Sequence, residues 1–265
     1  MTHTTEVLFP SSVDEAVSLF GDGAGVTVVA GGTIVVPEIT YGRLAPARAL
    51  MLSGAGLDGI EDDGTAVVVG AGTPVSRLAQ LADAVPGLAA CALNVADGEI
   101  RGQATVGGNL CAGHGADAPR GDLQGAFLAL GATARSVGAG GERSEPLEAF
   151  IDDRQGRLLL DVRFERPAAS AFASLDYPHT HEYTVLAVSG VRTQGGEVRL
   201  AATGLADHGR RLPSAEAAAS DPERAGAAAL DDVSLADDAL ASGWYRSRAL
   251  PVLVRRVLTQ LQEAS

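Results

Sequence analysis

Apolar and polar positions along the chain fall into two rhythms, and the changes between them mark out the elements. "EVLFP" reads as a short strand. "SSVDEAVSLFGDG" follows as a helix, with Ser11 or Ser12 placed to cap it, Ala16, Val17, Leu19 and Phe20 on its apolar face, and glycine to end it. "GVTVVAGGTIVVPEITYG" carries a buried β run, Val26 to Ala30, that breaks at Gly31-Gly32-Thr33. "ALMLS" and "TAVVVGAGTPVSRLAQLADAV" add two more strands and a helix starting near Pro74. This β–α alternation predicts a small α/β unit.

Further along, "LQGAFLALGA" predicts a helix, "TARSVGAGGERSEPLEAF" a hairpin with a Gly-rich turn, and "GRLLLDVRFERP" a strand. Pro167 and the Ala/Ser run after it mark a boundary. Beyond it, "YTVLAVSGVRTQGGEVRLAATGL" predicts an antiparallel hairpin turning at residues 194–196. The end, "WYRSRALPVLVRRVLTQLQEA", predicts a helix with Leu250, Leu253, Val254, Val257, Leu258 and Leu261 on one face. Pro251 suits its first turn or a kink, and its arginines suit a solvated face or a dock for an acidic partner.

Composition narrows the function. The 265 residues have room for two modest domains or one large one, and at 46% hydrophobic they can bury a substantial core. Only 4% are aromatic, so packing rests on Ala, Val and Leu. The formal charge of −13 argues against nucleic acid or an anionic membrane as partner, since both reward a basic surface. No stretch reaches the roughly 18–20 apolar residues of a membrane span, and the N-terminus lacks the pattern of a signal peptide, so the cytoplasm is expected. Cys91 and Cys111 are too few for a disulfide framework or a four-thiolate cluster. Any iron–sulfur chemistry would come from another chain.

Two glycine turns are the candidate binding chemistry. In Ala30-Gly31-Gly32-Thr33, glycines at the end of a strand let a ligand approach the backbone, successive N–H groups can form an anion-binding concavity, and Thr33 adds a hydroxyl. A plain strand-to-helix turn fits the same residues. Thr105-Val106-Gly107-Gly108-Asn109 repeats this chemistry with a side-chain amide, and two such turns could clamp a diphosphate from both sides. Asp122 then supplies a carboxylate suited to ribose hydroxyls. Neither turn has the spacing of a Rossmann fingerprint or a P-loop. Gly70-Ala71-Gly72 comes nearest, but Val75 stands in place of its third glycine. These residues point to a dinucleotide bound outside those folds.

Taken together, "AGGTIVVPEITYGRLAPARALMLS", "IRGQATVGGNLC" and "GDLQGAFLALGA" resemble the FAD-binding subunit of the molybdenum hydroxylases. This family includes the medium subunit of aerobic carbon monoxide dehydrogenase and the flavin domain of xanthine dehydrogenase. Its usual pattern is an A-G-G-T/H-D/S-L turn, an I-R-N-x-A-T-I-G-G-N turn and a D-L-P-P-A-L-L-A-L-G-A helix. Order and spacing agree over roughly the first 165 residues, and "YRSRALPVLVRRVL" is similar to the end of the family's C-terminal domain.

The resemblance implies an α+β fold in which residues 1–166 form two subdomains gripping FAD in the vanillyl-alcohol-oxidase/PCMH-like manner. Residues 167–265 would then form an antiparallel sheet with helices. Carried over by position, Ala30, Gly31, Gly32, Thr33, Ile34 and Val35, with Ala104, Thr105, Gly107, Gly108 and Asn109, line the FAD pyrophosphate and its neighbourhood. Asp122 falls near the adenosine ribose, Ala96, Ile100 and Leu159 pack apolar groups around the cofactor with Ile100 nearest the flavin ring, and Cys111 is within reach of FAD. Flavin carries the redox chemistry, so no side chain is assigned a catalytic role and no metal is expected on this chain. The implied partners are a molybdopterin-binding large subunit and a two-iron two-sulfur small subunit, with NAD, oxygen or a quinone-linked carrier as acceptor.

The chain also departs from the pattern. Ile34 replaces the polar residue usual after A-G-G-T. The segment between Cys111 and Asp122 is longer than usual and holds His114, Asp117 and Arg120. No Lys–Arg pair is evident in "FASLDYPHTHEY", which puts NAD in question as acceptor. His179 and His181 share a face there without an assured ligand set. Cys111 suits a small buried residue without redox duty, and His114 a proton donor, a flavin attachment point or an unreactive lining. Three functions therefore stand: an electron-transfer flavoprotein subunit, a stand-alone flavoenzyme acting directly on a small molecule, or a nucleotide-binding scaffold that has lost flavin.

Overall fold

The computed structural model describes residues 5–113, 121–176 and 184–264. His114, Asp117, Arg120, His179 and His181 lie outside the described residues.

The first unit contains β1 (Glu6–Leu8), α1 (Val13–Phe20), β2 (Val26–Val29), α2 (Val35–Thr40) and β3 (Arg48–Met51). Its strands form a parallel sheet in the order β1-β3-β2. Ser12 caps α1 by accepting from the Glu15 N–H, and Gly21 ends the helix at φ 63°. Ala16 and Phe20 are the buried positions of its apolar face, packed with Leu50 and Leu52. The run from Val26 to Ala30 is less buried than its composition predicts. Val29 alone is buried, because β2 lies at the edge of a three-stranded sheet.

The second unit is a five-stranded antiparallel sheet, β4 (Ile60–Asp62), β5 (Ala66–Gly70), β6 (Thr133–Gly138), β7 (Gly141–Pro146) and β8 (Arg157–Glu165), in the order β4-β5-β8-β6-β7. A register shift opposite Arg135 and Ser136 inserts Leu160 into β8 as an extra residue. Leu158 and Leu160 then join the core of the first unit, whereas Leu159, Val162 and Phe164 join the central core. One strand thus cements two cores.

The connections of this unit carry α3 (Pro86–Leu93), α4 (Gly98–Gln103), α5 (Val106–Leu110), α6 (Leu123–Ala129) and α7 (Leu147–Asp152). The helix expected near Pro74 forms as a 3₁₀ segment, Val75–Leu81. Its buried residues Val75, Leu78 and Leu81 recur every third position, which suits three residues per turn better than 3.6.

The C-terminal part is an antiparallel sheet of β9 (Ala169–Asp176), β10 (Thr184–Arg192), β11 (Val198–Thr203) and β12 (Arg210–Arg211), in the order β12-β11-β10-β9. Helices α8 (Pro213–Ala217), α9 (Pro222–Ala228) and α10 (Gly243–Glu263) cover it. All six apolar positions expected on the last helix are buried, in one core with Leu186, Val188 and Leu200.

One expectation for α10 is decided and another corrected. The helix begins at Gly243, capped by Ser242, so of the two places open to Pro251 the first turn is excluded and it lies inside the helix. Gly226 of α9 lets the backbones meet there, since a Cβ on it would lie 2.7 Å from the Pro251 carbonyl oxygen. The arginines also do not form one solvated face. Arg246 is 1% exposed and clasps Asp238, because it lies four residues before Leu250 on the apolar stripe.

Among the described residues no helix is long and apolar enough to cross a membrane.

Candidate functional site

The two glycine turns, some seventy residues apart in sequence, meet backbone to backbone. A Cβ on Gly31 would overlap the Gln103 carbonyl oxygen and lie 2.7 Å from its carbonyl carbon and 3.1 Å from Ala104 Cα. Ala104 in turn accepts a hydrogen bond from the Val75 N–H at 2.8 Å. Val106 donates to Thr73 O at 2.9 Å and Gly107 to Ala71 O at 2.8 Å. The end of β5 therefore carries the second turn, and the second turn carries the first.

The glycines of this cradle do different work. Gly31 and Gly107 serve the protein's own packing: a Cβ on Gly107 would lie 2.8 Å from Ala71 Cβ and 2.9 Å from Ala71 O. Gly32 is left-handed at φ 73°, a conformation that a side chain resists, and turns the chain from β2 towards α2. Gly108 is exposed. Beyond its chain neighbours and its own helix backbone, the atom that a Cβ there would meet, among the described residues, is Thr105 Oγ1 at 3.0 Å, the same hydroxyl that caps α5 by accepting from Gly108 N–H. Ala30, Gly31, Gly32, Thr33, Ile34 and Val35 are all half-buried. Ile34 occupies the cap position of α2 without a side-chain hydrogen bond, as its apolar side chain dictates.

Asn109 and Asp122 face the next element. Asn109 is 8% exposed, and its Oδ1 accepts from the Leu123 N–H at 2.8 Å, so this amide anchors the start of α6. Asp122 is half-buried at the cap position of α6, 13 residues further along the chain. Leu159 is 4% exposed and committed to the central core. Ile100 is open at 38%, on a helix whose cap Asp97 accepts from the Ile100 N–H at 2.8 Å. Ala96 sits beside it in the left-handed region at φ 43°.

Sequence reading missed the side chains that brace this region. Arg101 Nη1 donates to the carbonyls of Val95 at 2.8 Å and Ala96 at 2.5 Å, holding the strained turn that presents Ile100. Asn94 Nδ2 reaches Asp176 Oδ1 and Thr184 Oγ1, both at 3.0 Å, and so ties α3 to the C-terminal sheet. Arg154 donates to the carbonyls of Ile151, Cys111 at 3.3 Å and Ala112 at 3.0 Å. These arginines serve backbone carbonyls, for which no spacing rule gives a signal.

Burial pushes the Cys111 thiol up to about 11 against the nearby Arg154 charge, and pushes Cys91 further still. At neutral pH Cys111 is therefore a protonated, weak nucleophile. Alkylation of the folded chain with iodoacetamide at about pH 7.5 is expected to leave Cys111 largely unmodified until denaturant is added. Mass spectrometry of the two samples checks this.

Backbone from two glycine turns, with Gly108 facing out and the Ile100 side chain standing open nearby, fits the close approach of a dinucleotide such as FAD. The N–H groups of Val106, Gly107, Gly108 and Asn109 are committed within the protein, so donors to a diphosphate would come from the first turn and the Thr33 hydroxyl, and Ile100 suits an aromatic ring. Fold and cradle define a flavoprotein built from two α+β subdomains and a C-terminal antiparallel sheet.

The chain belongs to the family described as the FAD-binding domain in molybdopterin dehydrogenase, whose model matches residues 3–164. It is an FAD-binding oxidoreductase chain of the molybdenum-hydroxylase type. It is 31% identical over 147 residues to the carbon monoxide dehydrogenase medium chain of Hydrogenophaga pseudoflava, a stretch covering 54% of this chain and 50% of that one. It is 25% identical over 274 aligned residues to the nicotine 6-hydroxylase medium subunit of Paenarthrobacter nicotinovorans, covering 95% of each. Among solved structures, a copper–molybdenum carbon monoxide dehydrogenase in a cyanide-inactivated form matches at a TM-score of 0.87 and 25% identity, covering 100% of both chains.

Proposed function

We propose that this chain is the electron-transferring flavoprotein subunit of a molybdenum hydroxylase. It would receive electrons from a molybdopterin-binding large subunit through a two-iron two-sulfur small subunit, and pass them to NAD, oxygen or a quinone-linked acceptor. The observation that carries the reading is the fused pair of glycine turns, rigid where Gly31 and Gly107 pack and open at Gly108. The likeness to medium subunits of such enzymes supports the partners.

In this reading the backbone from Ala30 to Val35 and from Ala104 to Asn109 surrounds the FAD diphosphate, with Gly32 and Gly108 leaving the approach clear. Asp122 serves the adenosine ribose. Ile100 covers the flavin ring and Ala96 sets its angle, while Leu159 supports them from the core. Flavin, when bound, supplies the redox chemistry, accepting electrons singly or in pairs. The protein binds it, orients the ring and keeps water from it. We place the boundary between the FAD-binding part, 1–166, and the C-terminal part, 167–265, at Pro167.

Two substitutions in adjacent glycines test the cradle. Gly108→Leu is expected to lower FAD affinity at least about tenfold, the equivalent of about 1.4 kcal/mol, while the apo chain loses no more than about 1 kcal/mol. Gly107→Ala is expected to cost the fold about 1–3 kcal/mol through overlap with Ala71. Flavin-fluorescence titration and urea unfolding read the two effects. Unchanged FAD binding in Gly108→Leu would remove the cradle from the cofactor site. Purification from the native host, with a flavin spectrum and identification of co-eluting chains, tests the subunit reading. A monomer or homodimer that oxidises a small molecule by itself would overturn it.

A further inference from the structure

The bridge between the second glycine turn and the C-terminal sheet is a single buried amide. Gln124 is 1% exposed, yet both ends of its side chain are satisfied. Nε2 donates to the Leu110 carbonyl at 2.9 Å, and Oε1 accepts from the Gly209 N–H at 2.8 Å. Leu110 is the last residue of α5, the helix that Thr105 opens, and Gly209 precedes β12. The amide is enclosed by backbone on two sides. A Cβ on Gly121 would overlap its Cδ and Nε2, and a Cβ on Gly209 would lie 2.8 Å from Gln124 Cβ. In the D-L-P-P pattern quoted above, Gln124 and Gly125 stand where two prolines are usual. Proline could make neither of these side-chain bonds.

A buried amide satisfied at both ends is a rigid strut, because breaking either bond leaves a polar group without water to replace it. The strut joins two backbone segments that the chain order keeps 99 residues apart. One is the helix that continues the cofactor turn, and the other is the edge of the sheet under α10. The neighbouring bond from Leu123 N–H to Asn109 Oδ1 fixes α6 to the same turn, so the C-terminal sheet and the turn are linked through the first turn of α6.

We propose that Gln124 is a positioning residue for FAD, coupling the C-terminal sheet to the second glycine turn through the Leu110 carbonyl and the Gly209 N–H. This rests on the reading of that turn as part of the FAD site. Gln124 does not touch the cofactor in this scheme. It holds the turn that does.

The test uses the full chain stripped of flavin and titrated with FAD. The readouts are the dissociation constant from fluorescence quenching, the visible spectrum of the bound flavin, and the melting temperature of the apo chain. Gln124→Leu keeps the volume and loses both bonds. It is expected to weaken FAD binding at least about tenfold and to shift the flavin spectrum.

Gln124→Glu distinguishes positioning from packing. A carboxylate there still accepts from Gly209 but cannot donate to Leu110. A buried carboxyl holds its proton to higher pH than an exposed one, and once protonated it donates again. Weak FAD binding by this variant near pH 8 is therefore expected to recover towards about pH 5, relative to the wild type at each pH. Wild-type affinity and spectrum in Gln124→Leu with only its melting temperature lowered would overturn the proposal. If Gln124→Leu does not fold, the Glu variant decides: an affinity ratio to wild type that is flat with pH overturns the proposal. Failure of the wild-type chain to take up FAD would instead strike at the reading of the glycine turns, which Gly108→Leu probes separately.

Discussion

Replacing Gly31 by alanine is expected to unfold the FAD-binding part at markedly lower denaturant and to abolish flavin uptake. The added methyl group would overlap the Gln103 carbonyl oxygen and press on Gln103 C at 2.7 Å and Ala104 Cα at 3.1 Å. All three are backbone atoms, so no rotamer change relieves the overlap. Either β2 with its turn or the α4–α5 connection must move. The second is pinned by Val75 N–H to Ala104 O and by Val106 N–H to Thr73 O. Core overpacking costs about 1–3 kcal/mol where side chains can yield, and about 3 kcal/mol or more is expected where they cannot. Urea unfolding followed by circular dichroism measures the loss, and the flavin content of the purified chain measures the site. A Gly31→Ala chain of wild-type stability that retained its flavin would show that the two turns are not in contact. The contrast with Gly108→Leu is informative, since the larger side chain at the open glycine is expected to cost the fold far less.

The second large effect is expected far from the cradle. Arg246→Ala should destabilise the C-terminal part by about 3–5 kcal/mol, the cost of removing one partner of a buried ion pair. Arg246 and Asp238 are 1% and 7% exposed in their side chains, and Nη2 contacts both carboxylate oxygens at 2.8 Å. The same guanidinium donates to the carbonyls of Val185 at 3.2 Å, Ala236 at 2.8 Å and Ala241 at 2.9 Å. Its removal takes one donor from each of three carbonyls, of which Ala241 keeps the Asp238 N–H at 3.1 Å, and takes the guanidinium charge from beside a buried carboxylate, inside the core that α10 forms with the sheet. The pair replacement Arg246→Met with Asp238→Leu removes both charges and is expected to recover only part of the loss, because the carbonyls lose the guanidinium donors in either variant. Chemical denaturation of the two variants beside the wild type checks this. A loss below about 1 kcal/mol in Arg246→Ala, the range of exposed ion pairs, would show that water reaches the pair.

Much of the fold was legible because periodicity is a local property. The caps and apolar face of α1, the strands β5, β8 and β10, the β6–β7 hairpin and the apolar stripe of α10 each declare themselves within a dozen residues. α3 did not, for its sequence "PGLAACAL" is apolar or small all round, and even its exposed stripe of Pro86, Ala90 and Leu93 carries no polar side chain, which leaves no amphipathic signal. The helix after Pro74 starts where the sequence places it, and its 3₁₀ type is not legible because an apolar spacing of three also fits an α-helical face. Arg246 did carry a signal, its position on the stripe of Leu250, Leu253 and Val257. The arginines at 248, 255 and 256 drew it into a supposed solvated face.

The candidate site divides in the same way. The sequence by itself determined where the two glycine turns lie and which family the residues belong to, and it raised the expectation that backbone would meet a ligand there. Only the tertiary structure decided what each glycine is for. Gly31 and Gly107 face other backbone, Gly108 faces outward, and Asn109, so similar in type to a ligand-binding amide, holds the start of α6. In sequence these positions are interchangeable small or polar residues, because a glycine's neighbours come from whichever segment folds against it. For Gly31 that segment is 72 residues away at Gln103, and no local pattern encodes the approach of one backbone to another.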